Sequence, residues 1–519
     1  MKLTILSTSD THGFVLPTNY VKRDQNLPFS LAKAKTVLDA QKAMAEGPVL
    51  TIENGDWLQG SPLAYYAAKM NRKPEQLTQI YNAVGYDAGI IGNHEFNYGS
   101  DYLRQALATL NYPTLNANIT KAGQPAFGEP YKIFERSGIK IAVLGLTTAY
   151  ISHWEAPKHI ADLQFEDVIA TANDYVPRLR KEADVVIVAY HGGFERNLKT
   201  GEPTERLTGE NVGYALTQIP GIDALITGHQ HRQLAAIVNG VPVTQPGYRG
   251  EAVGKITLTL AQTTTGYQVT DQQAVLVKAG TVNPSAVIEQ VAEPLNQVVE
   301  TWLDQPLARV EGDMRIHDPF AARVKEVPYI EFIQRVQMAS TGADISGTAL
   351  FNNEGCGCGF GSTITMRDVV TNYIYPNTLA VLRLTGAELK AALEQCATYF
   401  SLNAQGQLMV TPRFERPKPQ HYNYDMYQGI DYTLDISKPV KQRVTKLTYH
   451  GKPVVSTQTY DVVMNQYRAA GGGNFAMFGP EKVIRENQKD MTELIADYLK
   501  AHPVLKAEAD HNFTVVSSM

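Results

Sequence analysis

The chain has 519 residues, of which 44% are hydrophobic and 19% are charged, and its formal net charge is −5. This length predicts at least two domains, and the composition is typical of a globular protein. The charge excludes a strongly basic surface, so we expect no nucleic-acid polymer as a partner. The sequence has no apolar run of about 18 residues, which excludes a membrane-spanning helix and predicts no membrane partner.

The cysteines are Cys356, Cys358 and Cys396, and an odd, sparse set does not favour a disulfide framework. The stretch "GCGCG" is interpreted as a flexible glycine-rich loop rather than a metal or redox site. Asp10 and His12 come too early for a signal-peptide apolar region to form before them. We therefore expect a cytoplasmic protein, or an exported one from which the signal has been removed, as a monomer or weak dimer.

The first 230 residues alternate strand-like and helix-like segments. A helix is predicted over "SLAKAKTVLDAQKAMAEG", with Ser30 as its N-cap and Gly47 as its stop. Short apolar runs rich in Val and Ile indicate buried strands of an α/β sandwich. These runs are "KLTILST", "VLTIEN", "DAGII", "IKIAVLGL", "DVVIVAYH" and "DALITGH". Further along, Asn239-Gly240 between apolar runs indicates a hairpin, and antiparallel strands are expected to follow it.

Near residue 282 the pattern changes to one helix with Pro294 inside it, which predicts a kinked connector. We therefore expect a catalytic domain over 1–281, a linker helix over 282–305 and a second, mixed domain over 306–519. Helices are predicted in the second domain at "PYIEFIQRVQMAS" and "TGAELKAALEQCATYF", and a hairpin at "RVTKLTYHGKPV".

Polar residues follow five strands of the first domain, each at the point where the strand ends. They are Asp10, His12, Asp56, Asn93, His94, His191, His229 and His231. Alone, each Asp is typical of a turn or a helix cap and Asn93 of a turn, whereas each His alone is usually structural or solvated. Because ligands bind at the carboxyl ends of strands in an open α/β sheet, the repetition favours one shared crevice.

The residue types at these strand ends suit divalent metal ions. Mixed nitrogen and oxygen ligands without thiolate favour Mn, Zn, Fe or Co over a structural cysteine-zinc site. The set is too large for one ion, and two ions about 3.5–4 Å apart are a known device for phosphoryl hydrolysis.

At these residues the chain resembles the calcineurin-like metallophosphoesterases, and within them the 5′-nucleotidase type. The matching motifs are "DTH", "NGDWLQGSP", "GNHEFNYG", "AYHGG" and "TGHQH". The resemblance implies a four-layer α/β/β/α sandwich plus a C-terminal α+β domain. It implies that one metal takes Asp10, His12, Asp56 and His231, and that the other takes Asp56, Asn93, His191 and His229.

The resemblance makes His94 the catalytic imidazole that stabilises charge on the phosphorus centre or protonates the leaving oxygen. The alternative is that His94 is a metal ligand or a mere neighbour. In many relatives an Asp three residues later orients this His, and here that position is Asn97, which carries no charge.

The second domain is similar to bifunctional 2′,3′-cyclic-nucleotide 2′-phosphodiesterase/3′-nucleotidases. That resemblance makes Tyr375 and Tyr467 the rings that sandwich the base, with Asn352 or Asn353 reaching it. The 5′-nucleotidase stretch Asn-x-Gly-Gly-Ile-Arg is absent, since the matching region reads "FNNEGCGCGFGSTITMRD". We therefore expect hydrolysis of 2′,3′-cyclic and 3′-nucleotides. The alternatives are a broad 5′-nucleotidase or UDP-sugar hydrolase, and a nucleotide sensor without catalysis.

Overall fold

The computed structural model describes residues 1–205, 207–264, 266–352, 358–375, 377–416 and 418–517, apart from the side chain of Gln488. By its internal contacts the chain divides into two compact units, residues 1–299 and 300–519. The helix Ala286–Leu303 covers most of the stretch expected to connect two domains, and Pro294 lies inside it. No helix within the described residues is both long and apolar enough to span a bilayer.

The first unit is built on two six-stranded sheets. In spatial order the first sheet contains Tyr267–Lys278, Ala252–Gln262, Lys2–Thr8, Val49–Glu53, Ala88–Ile90 and Thr114–Leu115. The second contains Gln233–Val238, Val241–Pro246, Ala224–Ile226, Val185–His191, Ile139–Thr147 and Tyr131–Arg136. A small third sheet contains Gln124–Pro125, Ile119–Lys121 and Gln164–Phe165.

The two large sheets pack face to face around one buried core. Ile5 and Leu50 of the first sheet share this core with Val143 and Ile187 of the second. The helices of the unit are Leu31–Ala43, Pro62–Tyr65, Glu75–Asn82, Ser100–Ala108, Val168–Glu182, Gly213–Leu216 and the start of Ala286–Leu303. The central strands are continuous apolar runs because each large sheet is covered on both faces, by the other sheet and by helices.

Helices cover the outer faces of both sheets. A second core cluster packs Val176 and Leu179 of the helix Val168–Glu182 against Leu144 and Val188 of the second sheet. On the other side, the helix Leu31–Ala43 contacts the strand Ala252–Gln262. The predicted α/β/β/α fold class is therefore confirmed.

The predicted first helix begins where expected but ends early. Ser30 caps it, because its hydroxyl accepts a hydrogen bond from the backbone N–H of Lys33. The helix ends at Ala43, whereas the sequence pattern placed its stop at Gly47. Gly47 serves a different purpose, since a Cβ there would lie 2.1 Å from the carbonyl oxygen of Lys2. A close approach of two backbones, and not a helix end, explains this glycine.

The second unit is a mixed α+β structure. Its five-stranded sheet contains, in spatial order, Asp425–Gln428, Ile345–Ala349, Thr459–Asn465, Thr378–Thr385 and Val483–Asp490. A four-stranded sheet contains Lys452–Pro453, Val444–Tyr449, Asp431–Asp435 and Phe513–Val516. A three-stranded sheet contains Thr363–Thr365, Pro306–Glu311 and Val504–Lys506. Two strand pairs, Met314–Arg315 with Gly359–Phe360 and Phe400–Leu402 with Leu408–Val410, complete the described sheets.

The helices of the second unit are Ala321–Val324, Pro328–Thr341, Met366–Asn372, Gly386–Ala397, Gln466–Ala469 and Met491–Ala501. Both helices predicted from the sequence, at 328–341 and 386–397, are confirmed, as is the hairpin that ends in Lys452–Pro453. Thr385 forms a capping box with Glu388, which explains the sharp start of the second of these helices.

Candidate metal centre

Parallel pairing brings the polar strand ends of the first unit together. The strand Lys2–Thr8 runs parallel to Val49–Glu53, which runs parallel to Ala88–Ile90. In the second sheet, Val185–His191 runs parallel to Ala224–Ile226. The carboxyl ends of the strands in each sheet therefore meet at one edge, and the residues that follow them gather there.

Two groups of potential ligands form at this edge. The first consists of Asp10, His12 and His231, and the second of Asp56, His191 and His229. Within each group one ligand atom per residue lies within 4.8 Å of the others. The two groups are adjacent, since the Nε2 atom of His12 lies 3.9 Å from Oδ2 of Asp56 and Nε2 of His191 lies 4.0 Å from Oδ1 of Asp10.

The backbone at this edge is held in an unusual conformation. Five of the candidate ligands have positive φ angles: Asp10 54°, His12 49°, Asp56 58°, His229 68° and His231 56°. A non-glycine residue in this left-handed region costs of the order of 1–2 kcal/mol. Such strain persists where the surrounding structure fixes it, and it is concentrated at functional sites in proteins.

Backbone carbonyl groups determine which ring nitrogen carries the hydrogen in two of the imidazoles. The Nδ1 atom of His12 lies 3.0 Å from the carbonyl oxygen of Gln59, and Nδ1 of His191 lies 2.6 Å from that of Asn54. A carbonyl oxygen only accepts, so Nδ1 carries the hydrogen in both rings. In the neutral form of each ring the Nε2 lone pair is then directed at the site, as a metal ligand requires.

The pair formed by Asp56 and His191 provides the test of whether these residues suit a metal. Both side chains are fully buried, and Oδ2 of Asp56 lies 3.2 Å from Nε2 of His191. Among the described residues neither atom has a partner in a hydrogen bond of acceptable geometry. Buried polar atoms are normally satisfied, and a cation bound between these two atoms would satisfy both. The site fits divalent metal ions.

The attraction between Asp56 and His191 favours the charged form of both side chains. Burial acts to raise the pKa of Asp56, but the attraction of His191, His94 and His12 holds it well below its ordinary value. Burial disfavours the charged form of His191, and the negative charges of Asp56 and Asp10 nevertheless raise its pKa to about 10. In the protein without metal, positive charge on an imidazole thus offsets the buried carboxylates.

The remaining predicted ligands complete the second group and the first. The Nδ1 atom of His229 lies 2.9 Å from Oδ1 of Asn93, and its Nε2 atom lies 3.0 Å from Oε1 of Glu210. His231 stacks on Tyr248 with ring centroids 4.8 Å apart, and its Nε2 atom lies 3.1 Å from that of His12. All seven predicted ligands therefore lie in one cluster.

A buried glutamate that the sequence reasoning missed shapes the loop that carries Asp56. The carboxylate of Glu95 accepts hydrogen bonds of 2.6–3.0 Å from the backbone N–H groups of Gly92, Asp56, Trp57 and Leu58. Gly92 must be a glycine because a Cβ there would lie 2.3 Å from Oδ1 of Asp56. Glu95 follows His94 directly in the motif "GNHEFNYG". Its role could not be predicted from the sequence, because a structural carboxylate has no distinctive spacing.

His94 lies beside the cluster and contacts it from its rim. Its backbone N–H donates a 2.7 Å hydrogen bond to Oδ1 of Asp56, and its ring centroid lies 5.2 Å from that of His12. Its Nδ1 atom lies 2.8 Å from Oδ1 of Asn97, so the residue pair predicted from the sequence is in contact. His94 belongs to neither group of potential ligands, and this favours a role beside a metal over one on it.

The candidate base-binding residues lie at one edge of the five-stranded sheet. Leu379 pairs with antiparallel Asn465, so the chain before 379 and the chain after 465 leave the same end of the strands. Tyr375 lies on the first of these segments and Tyr467 on the second. Both rings are half-buried, with Phe351 5.4 Å from Tyr375 and Tyr422 6.5 Å from Tyr467.

Asn352 belongs to the same edge. The strand Ile345–Ala349 runs parallel to Thr459–Asn465, so the residues that follow both strands emerge together. The Oδ1 atom of Asn352 accepts a hydrogen bond from the guanidinium group of Arg323, which holds this side chain in place. Asn353 and Cys356 lie outside the described residues, while Cys358 is exposed.

Comparison with known families matches both units separately. Residues 3–233 match the family described as calcineurin-like phosphoesterase. Residues 307–480 match the family described as 5′-nucleotidase, C-terminal domain.

Individual relatives match nearly the whole chain. A 2′,3′-cyclic-nucleotide 2′-phosphodiesterase/3′-nucleotidase of Haemophilus influenzae is 28% identical over 96% of this chain and 84% of its own length. The trifunctional nucleotide phosphoesterase of Bacillus subtilis is 27% identical over 99% of this chain, which spans only 39% of that protein. A crystal structure from Staphylococcus aureus, provisionally named a 5′-nucleotidase, is 36% identical, covers 100% of both chains and has a TM-score of 0.93.

Proposed function

Because the chain belongs to the calcineurin-like phosphoesterases that carry a 5′-nucleotidase C-terminal domain, it is a metal-dependent phosphoesterase, and we propose that it acts on 2′,3′-cyclic nucleotides. The first hydrolysis opens the cyclic ester at the 2′ oxygen and gives a 3′-nucleotide. A second hydrolysis releases nucleoside and inorganic phosphate. Each step consumes one water molecule.

The observation that carries this proposal is the pair of adjacent ligand groups at the edge of the sandwich. We assign one divalent ion to Asp10, His12, Asp56 and His231, and a second to Asp56, Asn93, His191 and His229. The 3.2 Å approach of Asp56 to His191, and the 3.9 Å approach of Asp56 to His12, support a bridging role for Asp56. Ions bound there would neutralise phosphate oxygens and lower the pKa of water.

The types of ligand atom restrict which metal ions suit the site. Imidazole, carboxylate and amide ligands without thiolate suit Mn²⁺, Zn²⁺, Fe or Co²⁺. We propose that any of these supports activity, and that Mn²⁺ and Zn²⁺ are the first to test.

His94 is proposed as the residue that acts on the substrate without holding a metal. It lies beside Asp56 and His12, with its ring at the edge of the ligand cluster. From there the imidazole can donate a hydrogen bond to a phosphoryl oxygen or a proton to the departing ribose oxygen.

The second unit is proposed to select the substrate through its base. Tyr375 and Tyr467 lie on segments that leave the same end of one strand pair, and both side chains are half-buried. Stacking of a base on an aromatic ring contributes about 1–3 kcal/mol and tolerates different bases. Asn352, held by Arg323, is proposed as a hydrogen-bonding partner of the base, and Asn353 remains a candidate from the sequence.

A broad 5′-nucleotidase or UDP-sugar hydrolase is the second candidate. The Staphylococcus aureus structure at 36% identity carries a 5′-nucleotidase name, which favours this alternative. The absence of Asn-x-Gly-Gly-Ile-Arg from the sequence favours 3′ substrates instead.

A substrate panel decides between the two. The metal-free protein is reloaded with Mn²⁺, Zn²⁺, Fe²⁺ or Co²⁺, and phosphate release from 2′,3′-cyclic AMP, 3′-AMP, 5′-AMP and UDP-glucose is compared. Phosphatase is added in the cyclic AMP and UDP-glucose assays, so that monophosphate products are also counted. We expect 2′,3′-cyclic AMP and 3′-AMP to be the preferred substrates. Preference for 5′-AMP or UDP-glucose would establish the second candidate, and no turnover with any metal would contradict both.

A further inference from the structure

A buried carboxylate stands behind Asn97, on the side away from His94. The Nδ2 atom of Asn97 donates a 2.7 Å hydrogen bond to Oε2 of Glu155, while Oδ1 of Asn97 lies 2.8 Å from Nδ1 of His94. Glu155 is 8% exposed. A chain of hydrogen bonds therefore leads from the rim of the metal cluster to a carboxylate at a distant point of the sequence.

The environment of Glu155 fixes the direction of this chain. Its Oε1 atom accepts a 2.8 Å hydrogen bond from the backbone N–H of Ala156 and lies 2.7 Å from Nδ1 of His159. A carboxylate with donors on one oxygen acts as an acceptor on the other. The amide of Asn97 must then turn its NH2 group to Glu155 and its oxygen to His94.

The orientation of that amide determines the tautomer of His94. Because the amide oxygen of Asn97 only accepts, the hydrogen of a neutral His94 ring resides on Nδ1. The Nε2 atom is then the nitrogen left for the substrate. In addition, linked hydrogen bonds polarise one another, so the charge of Glu155 strengthens the contact at His94.

The fold holds Glu155 in place through its neighbours. The backbone N–H groups of Trp154 and Glu155 both lie 3.0 Å from the carbonyl oxygen of Ile151, which is buried. Trp154 stacks on His229 with centroids 5.3 Å apart and an angle of 27°. The segment that carries Glu155 is therefore packed directly on His229, a member of the cluster of candidate metal ligands.

We propose that Glu155 is the positioning residue for His94, and that it acts through Asn97 in place of a carboxylate in direct contact with the imidazole. This inference rests on the proposed function for its effect on turnover, but the hydrogen-bond chain itself does not depend on the substrate. Glu155 does not touch the substrate or a metal in this account.

Three variants test the chain. In Glu155→Gln the new amide can also donate, so Asn97 is no longer held in one orientation, and kcat should fall about 10–100-fold with little change in KM. In Asn97→Asp two carboxylates face each other across the 2.7 Å contact, and kcat should also fall. In the double variant Asn97→Asp/Glu155→Gln, an Asp would hold His94 directly and a Gln would donate to it, so kcat should recover to within a few-fold of the parent.

The second readout is the tautomer of His94 in the Zn²⁺-loaded protein labelled with ¹⁵N-histidine. The His94 signal is identified by its loss in His94→Ala. We expect the Nδ1–H form in the parent and in the double variant, and a mixture in Glu155→Gln. Elemental analysis should show unchanged metal content throughout, and Glu166→Gln, an exposed carboxylate of the same unit, is the matched control.

The outcomes separate this inference from the proposed function. An unchanged tautomer and kcat in Glu155→Gln would overturn it, as would a double variant no better than the single ones. If no nucleotide is a substrate but the tautomer responds as expected, the hydrogen-bond chain stands and the proposed substrate class fails.

Discussion

Each unit contains a buried pair of oppositely charged groups, and these two pairs differ in how completely their hydrogen bonds are satisfied. In the second unit, Arg468 and Asp425 are 1% and 2% exposed, and two hydrogen bonds of 2.6 and 3.2 Å join them. Arg468 also donates to the carbonyl oxygens of Tyr422 and Gly472. In the first unit, Asp56 and His191 face each other with atoms that lack such partners.

The difference shows which buried charges serve the fold and which serve a ligand. Arg468 and Asp425 lie in a regular helix and a regular strand, Gln466–Ala469 and Asp425–Gln428. Asp56 instead has a φ of 58° on a loop held by Glu95. A buried pair with satisfied hydrogen bonds serves the fold, whereas an unsatisfied pair with one member, Asp56, in strained backbone is prepared for something that binds.

The largest effect should come from Asp56→Ala. Removing the proposed bridging carboxylate should reduce metal content, measured by elemental analysis, and lower phosphate release to that of the metal-free protein. Asp101→Ala, at an exposed position of the same unit, should change neither quantity. Full metal occupancy in Asp56→Ala would contradict the bridging role. It would also contradict the claim that the buried pair of the first unit serves a ligand.

His94→Ala should lower kcat by about 10²–10⁴-fold, which is the usual contribution of a general acid or base. The metal content should stay unchanged, because His94 lies outside both ligand groups. His317→Ala, an exposed imidazole of the second unit, is the control. An unaltered kcat would show that His94 is a bystander, while loss of metal would make it a ligand.

Asp425→Ala should act on stability and not on metal. Removing one partner leaves the buried charge of Arg468 unpaired, which costs about 3–5 kcal/mol of the free energy of unfolding. Calorimetry should show the transition of the second unit at a lower temperature, with metal content as in the parent. Asp461→Ala breaks an exposed pair with Arg383 and should leave that transition nearly unchanged. Equal effects of the two substitutions would remove the structural role of the buried pair.

Tyr375→Ala and Tyr467→Ala should have the smallest effects. Losing one stacking ring should weaken nucleotide binding by about 1–3 kcal/mol. We expect this loss to appear as a higher KM for nucleotides. Turnover of bis(p-nitrophenyl) phosphate, which has no nucleobase, should be spared. Tyr449→Ala, which contacts Asp344 at the surface, is the control. Equal losses on both kinds of substrate would discredit base stacking by these rings.

Much of the first unit could be predicted from its sequence because strand ends carry a local signal. An apolar run followed by Asp10 or His191 indicates both a buried strand and the edge at which it ends. Parallel pairing does the rest, since it places those ends side by side. The cluster therefore followed from residues that are far apart in the chain but share one local pattern.

Other parts of the site have no such signal. Glu155 lies in a loop without periodicity, and only the folded chain brings it to Asn97, 58 residues away in sequence. The positive φ of His229 likewise has no signal in the sequence around it. Tyr375 and Tyr467 were identified by resemblance alone, because a chain with 27 tyrosines offers many rings of no special role.

The most direct test of the central claim is anomalous diffraction from crystals loaded with Mn²⁺. We predict two peaks in the first unit, one among Asp10, His12 and His231 and one among Asp56, His191 and His229, with Asp56 close to both. A single peak, or peaks away from these side chains, would contradict the two-metal account.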